Sequence, residues 1–239
     1  MDYGILARCT RTGRLGMATA SVSLAIGRYC DGAVRPGLGA TFTAGNGRPR
    51  NNRLALALLA QGWECEAVLD ALASNDENHA WRQVAVLDRE GCARVHTGDR
   101  LRAAGHRSGE GWATFGNGLH GETVLDAMAA SFGASPEDDL DVRLLVALEA
   151  GHRSGGCAGR SGPLPARSAA LVCWHLRDFN EIDLRVDLHD QAVGELRRLH
   201  DDTKPTIAYY DERGRNPRNA ESPIAFAERL RQQQARERT

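Results

Sequence analysis

The sequence predicts an α+β domain built from antiparallel sheets, and three observations predict it. The first 27 residues read as one long hairpin. Helical periodicity then comes in pairs of segments set between groups of strands, in the order strands, two helices, strands, two helices, strands, helix. Finally, 239 residues with 42% apolar content suit one large domain, or at most two small ones, with a real core. Hairpins and paired helices bury their apolar faces when two sheets are sandwiched between helical layers.

The hairpin pairs the stretch from Asp2 to Arg8 with Leu15 to Ser23 across a turn at Arg11-Thr12-Gly13-Arg14, and the expectation is a domain that starts on a core strand with no leader before it. The returning strand ends in Thr19, Ala20, Ser21 and Ser23, small residues that let a backbone or a substrate approach closely. A third strand runs from Gly37 to Ala44 and is broken by Gly45-Asn46-Gly47 and Pro49. Helices follow from Leu54 to Leu59 and from Glu64 to Leu72, the second with Val68, Leu69 and Leu72 on one face. A second hairpin joins Gln83 to Asp88 with Ala93 to His96. Trp112 to Phe115 is a short strand ending at the corner Gly116-Asn117-Gly118, and Thr123 to Phe132 is a helix.

Ser135-Pro136-Glu137-Asp138 reads as a helix start, with a serine cap, proline at the first position and acids in the first turn. That helix ends at Ala150, before Gly151. Residues 152 to 166 are rich in Gly, Ser and Pro and read as a loop. Strands at Ala169 to His175 and Ile182 to Val186 precede a helix from Gln191 to His200. The pattern thus gives a domain over 1–200 and an extension over 201–239, in which Ser222-Pro223 caps a short amphipathic helix carrying Ile224, Ala227 and Leu230.

Composition excludes several classes of function. With 30 basic and 31 acidic residues the formal charge is −1, so no net field holds nucleic acid or an anionic membrane. No apolar run approaches the roughly 20 residues of a membrane helix, and the expected location is cytoplasmic. Lys204 is the only lysine, so a lysine base or Schiff base could come from nowhere else. The six cysteines are scattered without a Cys-x-x-Cys or a paired-histidine spacing. They read as buried free thiols, and neither a metal site nor a cofactor is expected. No dinucleotide fingerprint or phosphate-binding loop occurs.

Several stretches together resemble a known family. Ile5-Leu6-Ala7-Arg8 and the run from Gly13 to Ser21 are similar to the opening Ser-Ile-Val-Ala-Arg and Gly-x-Leu-Gly-x-Ala-x-Ala-Ser of the DUF1028 family, whose fold is like that of the N-terminal-nucleophile (Ntn) hydrolases. Further similarity lies in His96-Thr97-Gly98, Gly105-His106-Arg107, Gly116 to Leu119 and Asp183 to Asp187. The resemblance covers about residues 2 to 200. It implies a four-layer αββα sandwich of antiparallel sheets.

An Ntn hydrolase attacks with the side chain of its first mature residue and uses that residue's α-amine as base. Relatives often carry threonine at the position held here by Asp2, so the standard nucleophile is missing. Cleavage before Cys9, Thr10 or Thr12 would remove the first core strand. By the resemblance Ser21 is polar support near the first strand's start; by its own chemistry it is a strand-end hydroxyl bonded to backbone. The resemblance also implies a backbone oxyanion hole at the end of the third strand, where Thr43 and Gly45 lie, although Asn46-Gly47 reads equally as a tight turn. Gly116 and Asn117 form a similar corner, whose amide suits a transition-state oxygen.

Gly-His-Arg-Ser-Gly occurs twice, at 105–109 and 151–155, both expected in loops, and His106 of the first copy is a candidate acid or base. Arg185 and Asp187, two apart, share a strand face with Asp183 and read either as an ion pair or as a carboxylate clamp. Where the family shows Gly-Asp, this chain has Gly156-Cys157. The resulting expectation is an Ntn-like amide hydrolase acting on a small carboxylate-bearing amide. The alternative is a catalytically inactive binding or assembly protein on the same fold. A homodimer is expected through the C-terminal arm.

Overall fold

The structure is a computed structural model that describes residues 1–174 and 181–237. Its strands are β1 (Asp2–Arg8), β2 (Leu15–Ser21), β3 (Val34–Arg35), β4 (Gly39–Gly45), β5 (Arg82–Asp88), β6 (Ala93–Thr97), β7 (Gly105–Gly109), β8 (Trp112–Asn117), β9 (Cys157–Ala158), β10 (Pro163–Leu164), β11 (Ser168–Trp174) and β12 (Ile182–Val186). Its helices are α1 (Pro49–Ala60), α2 (Cys65–Ser74), α3 (Thr123–Gly133), α4 (Leu140–Arg153), α5 (Ala192–Thr203), α6 (Ile207–Arg215) and α7 (Pro223–Glu237). None of the described helices is long and apolar enough to cross a membrane. Met1–Leu199 and His200–Thr239 form separate compact units.

In the first unit the strands make antiparallel sheets with the orders β12-β11-β2-β1-β8-β7, β3-β4-β5-β6 and β10-β9. The expected α+β class with antiparallel sheets is what forms. The N-terminal hairpin supplies the two central strands of the largest sheet, because β1 and β2 are buried on both faces and read as near-continuous runs of small and apolar residues. Alternation along β1 sends Leu6 into a core shared with Met17, Phe115 and Val172 of its own sheet and with Phe42 and Leu87 of the four-stranded one. Phe42 and Phe115 stack across this seam with ring centroids 5.7 Å apart. Burying each such ring contributes about 1.5–3 kcal/mol. Val84 and Val86, on the other face of β5, pack with Leu56, Val68 and Leu72 of α1 and α2. Helix α4 packs on β1 and β2, and α3 on β7 and β8.

Several expected elements fall differently. Helix α1 starts at Pro49, five residues before the expected Leu54, because the proline that reads as a breaker occupies the first turn, where its missing N–H costs nothing. The 135–139 stretch is a turn and α4 begins at Leu140 after Asp139, so Ser135 is not its cap. That helix also continues through Gly151 to Arg153. A Cβ at Gly151 would meet Met128 at 2.7 Å and Tyr3 at 3.3 Å, so the glycine permits close packing of α4 on α3 and β1 and does not terminate the helix. Neither Gly-His-Arg-Ser-Gly copy is a simple loop: the first is strand β7 and the second is the end of α4 with the turn that follows. His175, the expected end of the β11 strand, lies outside the described residues.

The second unit contains α6 and α7. Tyr209 of α6 stacks on Phe226 of α7 at 3.8 Å, and its hydroxyl donates to the Glu221 carbonyl at 2.9 Å. Ser222 accepts the Ala225 N–H at 3.2 Å, the capping bond expected there. The composition of 207–215 did not announce α6.

Gly4 of β1 has no room for a side chain, since a Cβ would lie 2.8 Å from the Ala18 carbonyl oxygen and 2.9 Å from the Phe115 ring. Gly133, at the end of α3, has nothing within 4 Å of the same added atom. Denaturant melts of Gly4→Ala should therefore show a loss of about 1–3 kcal/mol. Gly133→Ala should be neutral or gain up to about 1 kcal/mol from helix propensity.

Candidate functional site

The strand registers place Asn117, Asp2, Ser21 and Ser168 in one row across β8, β1, β2 and β11. All four point toward the seam between the sheets, because they share strand parity with Phe115, Leu6, Met17 and Val172. Polar residues buried in a row need partners, since none of these four is more than 5% exposed. Ser21 Oγ donates to Asp2 Oδ1 at 2.5 Å and accepts the Ser23 N–H at 3.0 Å. The Met1 ammonium lies 3.7 Å from the same Asp2 oxygen. A single hydroxyl proton serves one acceptor, and the short bond to the carboxylate takes it in preference to the Met1 carbonyl at 3.1 Å.

The segment after β2 roofs this row. Ser168 Oγ donates to the Ser23 carbonyl at 2.7 Å and accepts the Ile26 N–H at 3.0 Å. The Ala25 N–H bonds the Asp187 carbonyl at 2.9 Å. To make these contacts Ala25 takes φ 54°, ψ 43°, a left-handed conformation that costs a residue with a Cβ roughly 1–2 kcal/mol. Met1 covers the other end, where its side chain packs against Gly118 at φ +60°, a position that a Cβ would block.

Of the expected site residues, Asp2, Ser21 and Asn117 come together. Asn117 is directly opposite Asp2, and its Nδ2 is buried with no hydrogen-bond partner. Gly116, facing the other way, has its Cα so close to Leu119 and to the Asp2 carbonyl that a Cβ would meet them at 2.6 and 3.1 Å. His106 lies elsewhere: its Nδ1 is 3.3 Å from Thr97 on β6, and Thr97 in turn accepts from Gln83. Burial and then the neighbouring Arg107 hold this imidazole below its ordinary pKa. Thr43, expected beside a backbone oxyanion hole at the end of this strand, sits opposite Val84 on the face of β4 turned to α1 and α2, away from the Asp2 row. Gly45 closes β4 with φ +76°, and a Cβ there would meet Leu101 and the Trp81 carbonyl at 2.9 Å.

Arg185 and Asp187 form a second place, about three strand spacings or roughly 14 Å across the sheet from Asp2. Arg185 lies on β12 and Asp187 just after it, and β12 is an edge strand of the sheet, which is why it tolerates alternating charges. Arg185 Nη2 donates to both Asp187 oxygens at 2.9 and 3.2 Å, and its Nε reaches Oδ1 at 3.3 Å. The guanidinium packs on Gly27, where any Cβ would collide with it. Arg35, Trp174, Asp183 and Arg185 line a cleft of about 340 Å³ at this edge of the seam.

Cys157, read from the sequence only as a buried free thiol, also belongs here. It bridges to Leu119 and is buried beside the row. Burial pushes its thiol up to about 12; the chain's terminal ammonium opposes the rise and the Asp2 carboxylate adds to it. At neutral pH it is a thiol, not a nucleophilic thiolate. Only its place after Gly155-Gly156, where the resemblance has an aspartate, drew attention to it.

Comparison with known proteins agrees with the resemblance to the DUF1028 family. The model of DUF1028, a family of unknown function, matches residues 2–196. The chain is also similar to the crystal structure of protein SPO2555 from Silicibacter pomeroyi, described under the same family model. The two share 27% identity and a TM-score of 0.75, over 85% of this chain and 89% of that one. No curated protein matches the chain. With most of its first unit matched, from the strand that carries Asp2 to helix α5, this chain belongs to the DUF1028 family.

Proposed function

We propose that this chain adopts the four-layer αββα arrangement of the Ntn hydrolases and binds a small carboxylate-bearing molecule without cleaving it through an N-terminal nucleophile. The observation that carries the reading is the Asp2 carboxylate, buried at the start of β1 and held by the Ser21 hydroxyl and the Met1 ammonium. The Ntn mechanism needs a hydroxyl or thiol on the residue whose own amine is the base. Here that side chain accepts hydrogen bonds and attacks nothing, and the amine beside it is engaged as its counter-ion.

Binding is assigned to the cleft at the β12 edge. Asp187 occupies Nε and Nη2 of Arg185, which leaves the Nη1 hydrogens for a ligand carboxylate, with Arg35 across the cleft. Trp174 offers an apolar wall. A second reading, an amide hydrolase, is favoured by the unpartnered Asn117 Nδ2 in the same row as a serine hydrogen-bonded to a carboxylate. In it Ser21 attacks, Asp2 takes its proton and Asn117 holds the oxyanion. The complete burial of Ser21 weighs against that reading. The protein is further proposed to act in the cytoplasm as a two-fold homodimer joined through the second unit, whose Tyr210 and Ile224 are 55% and 74% exposed.

Arg185→Ala tests the assignment. Arg185 and Asp187 have side chains 40% and 55% exposed, so their pair contributes about 0–1 kcal/mol and the melt should barely move. Calorimetry against a panel of small carboxylates should show a ligand for the wild-type chain whose affinity falls at least about tenfold in the variant, a loss of about 1.4 kcal/mol. Unchanged binding in Arg185→Ala, or turnover of an amide panel that Ser21→Ala abolishes, would overturn it. Light scattering on the full chain should give twice the monomer mass, and a monomer would remove the dimer.

A further inference from the structure

A second cluster of reactive side chains lies on the four-stranded sheet, away from the row at Asp2. Cys65 opens α2, Asp88 ends β5, and Cys92 follows the turn between β5 and β6. The cysteines are 27 positions apart in sequence, and the packing of α2 on β5 and β6 brings Cys65 to Cys92. The two sulfurs and an Asp88 carboxylate oxygen all lie within 4.8 Å of one another.

The carboxylate is oriented for this. Asp88 Oδ1 accepts the N–H groups of Glu90, Gly91 and Cys92 at 3.0, 2.8 and 2.8 Å, which fixes the plane of the group. Oδ2 then faces Cys65 Sγ at 3.7 Å. A tetrahedral zinc ion, with bonds of about 2.3 Å to sulfur and about 2.0–2.2 Å to oxygen, sets an S···O edge of roughly 3.5–3.7 Å and an S···S edge of roughly 3.8 Å. The S···O pair already has that separation, and any wider pair closes to it by at most about 1 Å. Cys65 is 1% exposed, while Asp88 and Cys92 are partly exposed, so the group is anchored from below and open to solvent on one side.

We propose that Cys65, Asp88 and Cys92 form a binding site for a thiophilic divalent cation of the zinc class, with the fourth coordination position open to solvent. Two thiolates select such an ion over magnesium or calcium, and three protein ligands with one open position are the donor count of a reactive rather than a closed structural site. The Cys65 thiol donates to the Cys92 carbonyl at 3.2 Å. Loading the site sends this proton and that of Cys92 to water, since both sulfurs bind as thiolates.

The test titrates the full-length chain, reduced with a phosphine, with Co²⁺ alone and then with Zn²⁺. One equivalent of Co²⁺ should produce a thiolate-to-metal charge-transfer band that Zn²⁺ abolishes by displacement. Cys92→Ser and Asp88→Asn should each weaken Co²⁺ binding by about 10–100-fold or more, and Cys9→Ser should leave it unchanged. Asp88→Asn keeps an oxygen for the three turn N–H groups, so the fold survives that change. Zn²⁺ should also raise the melting temperature of the wild-type chain and not that of Cys92→Ser. No band at one equivalent, or an equal band in Cys92→Ser, would overturn the proposal.

Discussion

A carboxylate buried at the start of a central strand must find partners within the protein, because burial removes most of its hydration. Asp2 is in that position, and much of the surrounding structure follows from how it is satisfied. Ser21 sits directly across the hairpin with its hydroxyl on Asp2, so the register of β1 on β2 and the hydrogen bond select each other. A slip of one residue would turn one of the two side chains to the helix face and break their hydrogen bond.

The same constraint extends along the row. Ser168 continues it onto β11 and binds both ends of the segment that folds over it, the Ser23 carbonyl and the Ile26 N–H. Asp187 receives the Ala25 N–H on its carbonyl, and Gly27 lies against Arg185. One short segment therefore covers the Asp2 row and also forms a wall of the Arg185 cleft. The cleft is lined by residues whose backbone is tied to the row, and the left-handed Ala25 is the strained point between the two places.

Much of this was legible in the sequence, and the gaps have physical causes. The hairpin showed because a glycine turn separates two runs of strand composition, and Asn117 showed because glycines flank it at a strand end. The face that Thr43 takes is not legible, because β4 is buried on both sides and polarity gives no clue to which parity faces the seam. Strand β7 read as a loop because an exposed edge strand has no apolar alternation; Gly-His-Arg-Ser-Gly pairs through its backbone alone. Ser168 and Cys157 gained their places only through the meeting of β2 with β11 and of Leu119 with Cys157, contacts between segments distant in sequence. The approach of Cys65 to Cys92 is of the same kind.

The Asp2 carboxylate and the Ser21 hydroxyl act as one unit, and a double-mutant cycle of Asp2→Ala and Ser21→Ala in urea melts measures that directly. A real charge-assisted bond in a buried site predicts a coupling energy of about 1–3 kcal/mol, with Ser21→Ala costing more when Asp2 is present than when it is absent. If the two substitutions add to within about 0.5 kcal/mol, the pair is not coupled and the central claim is contradicted.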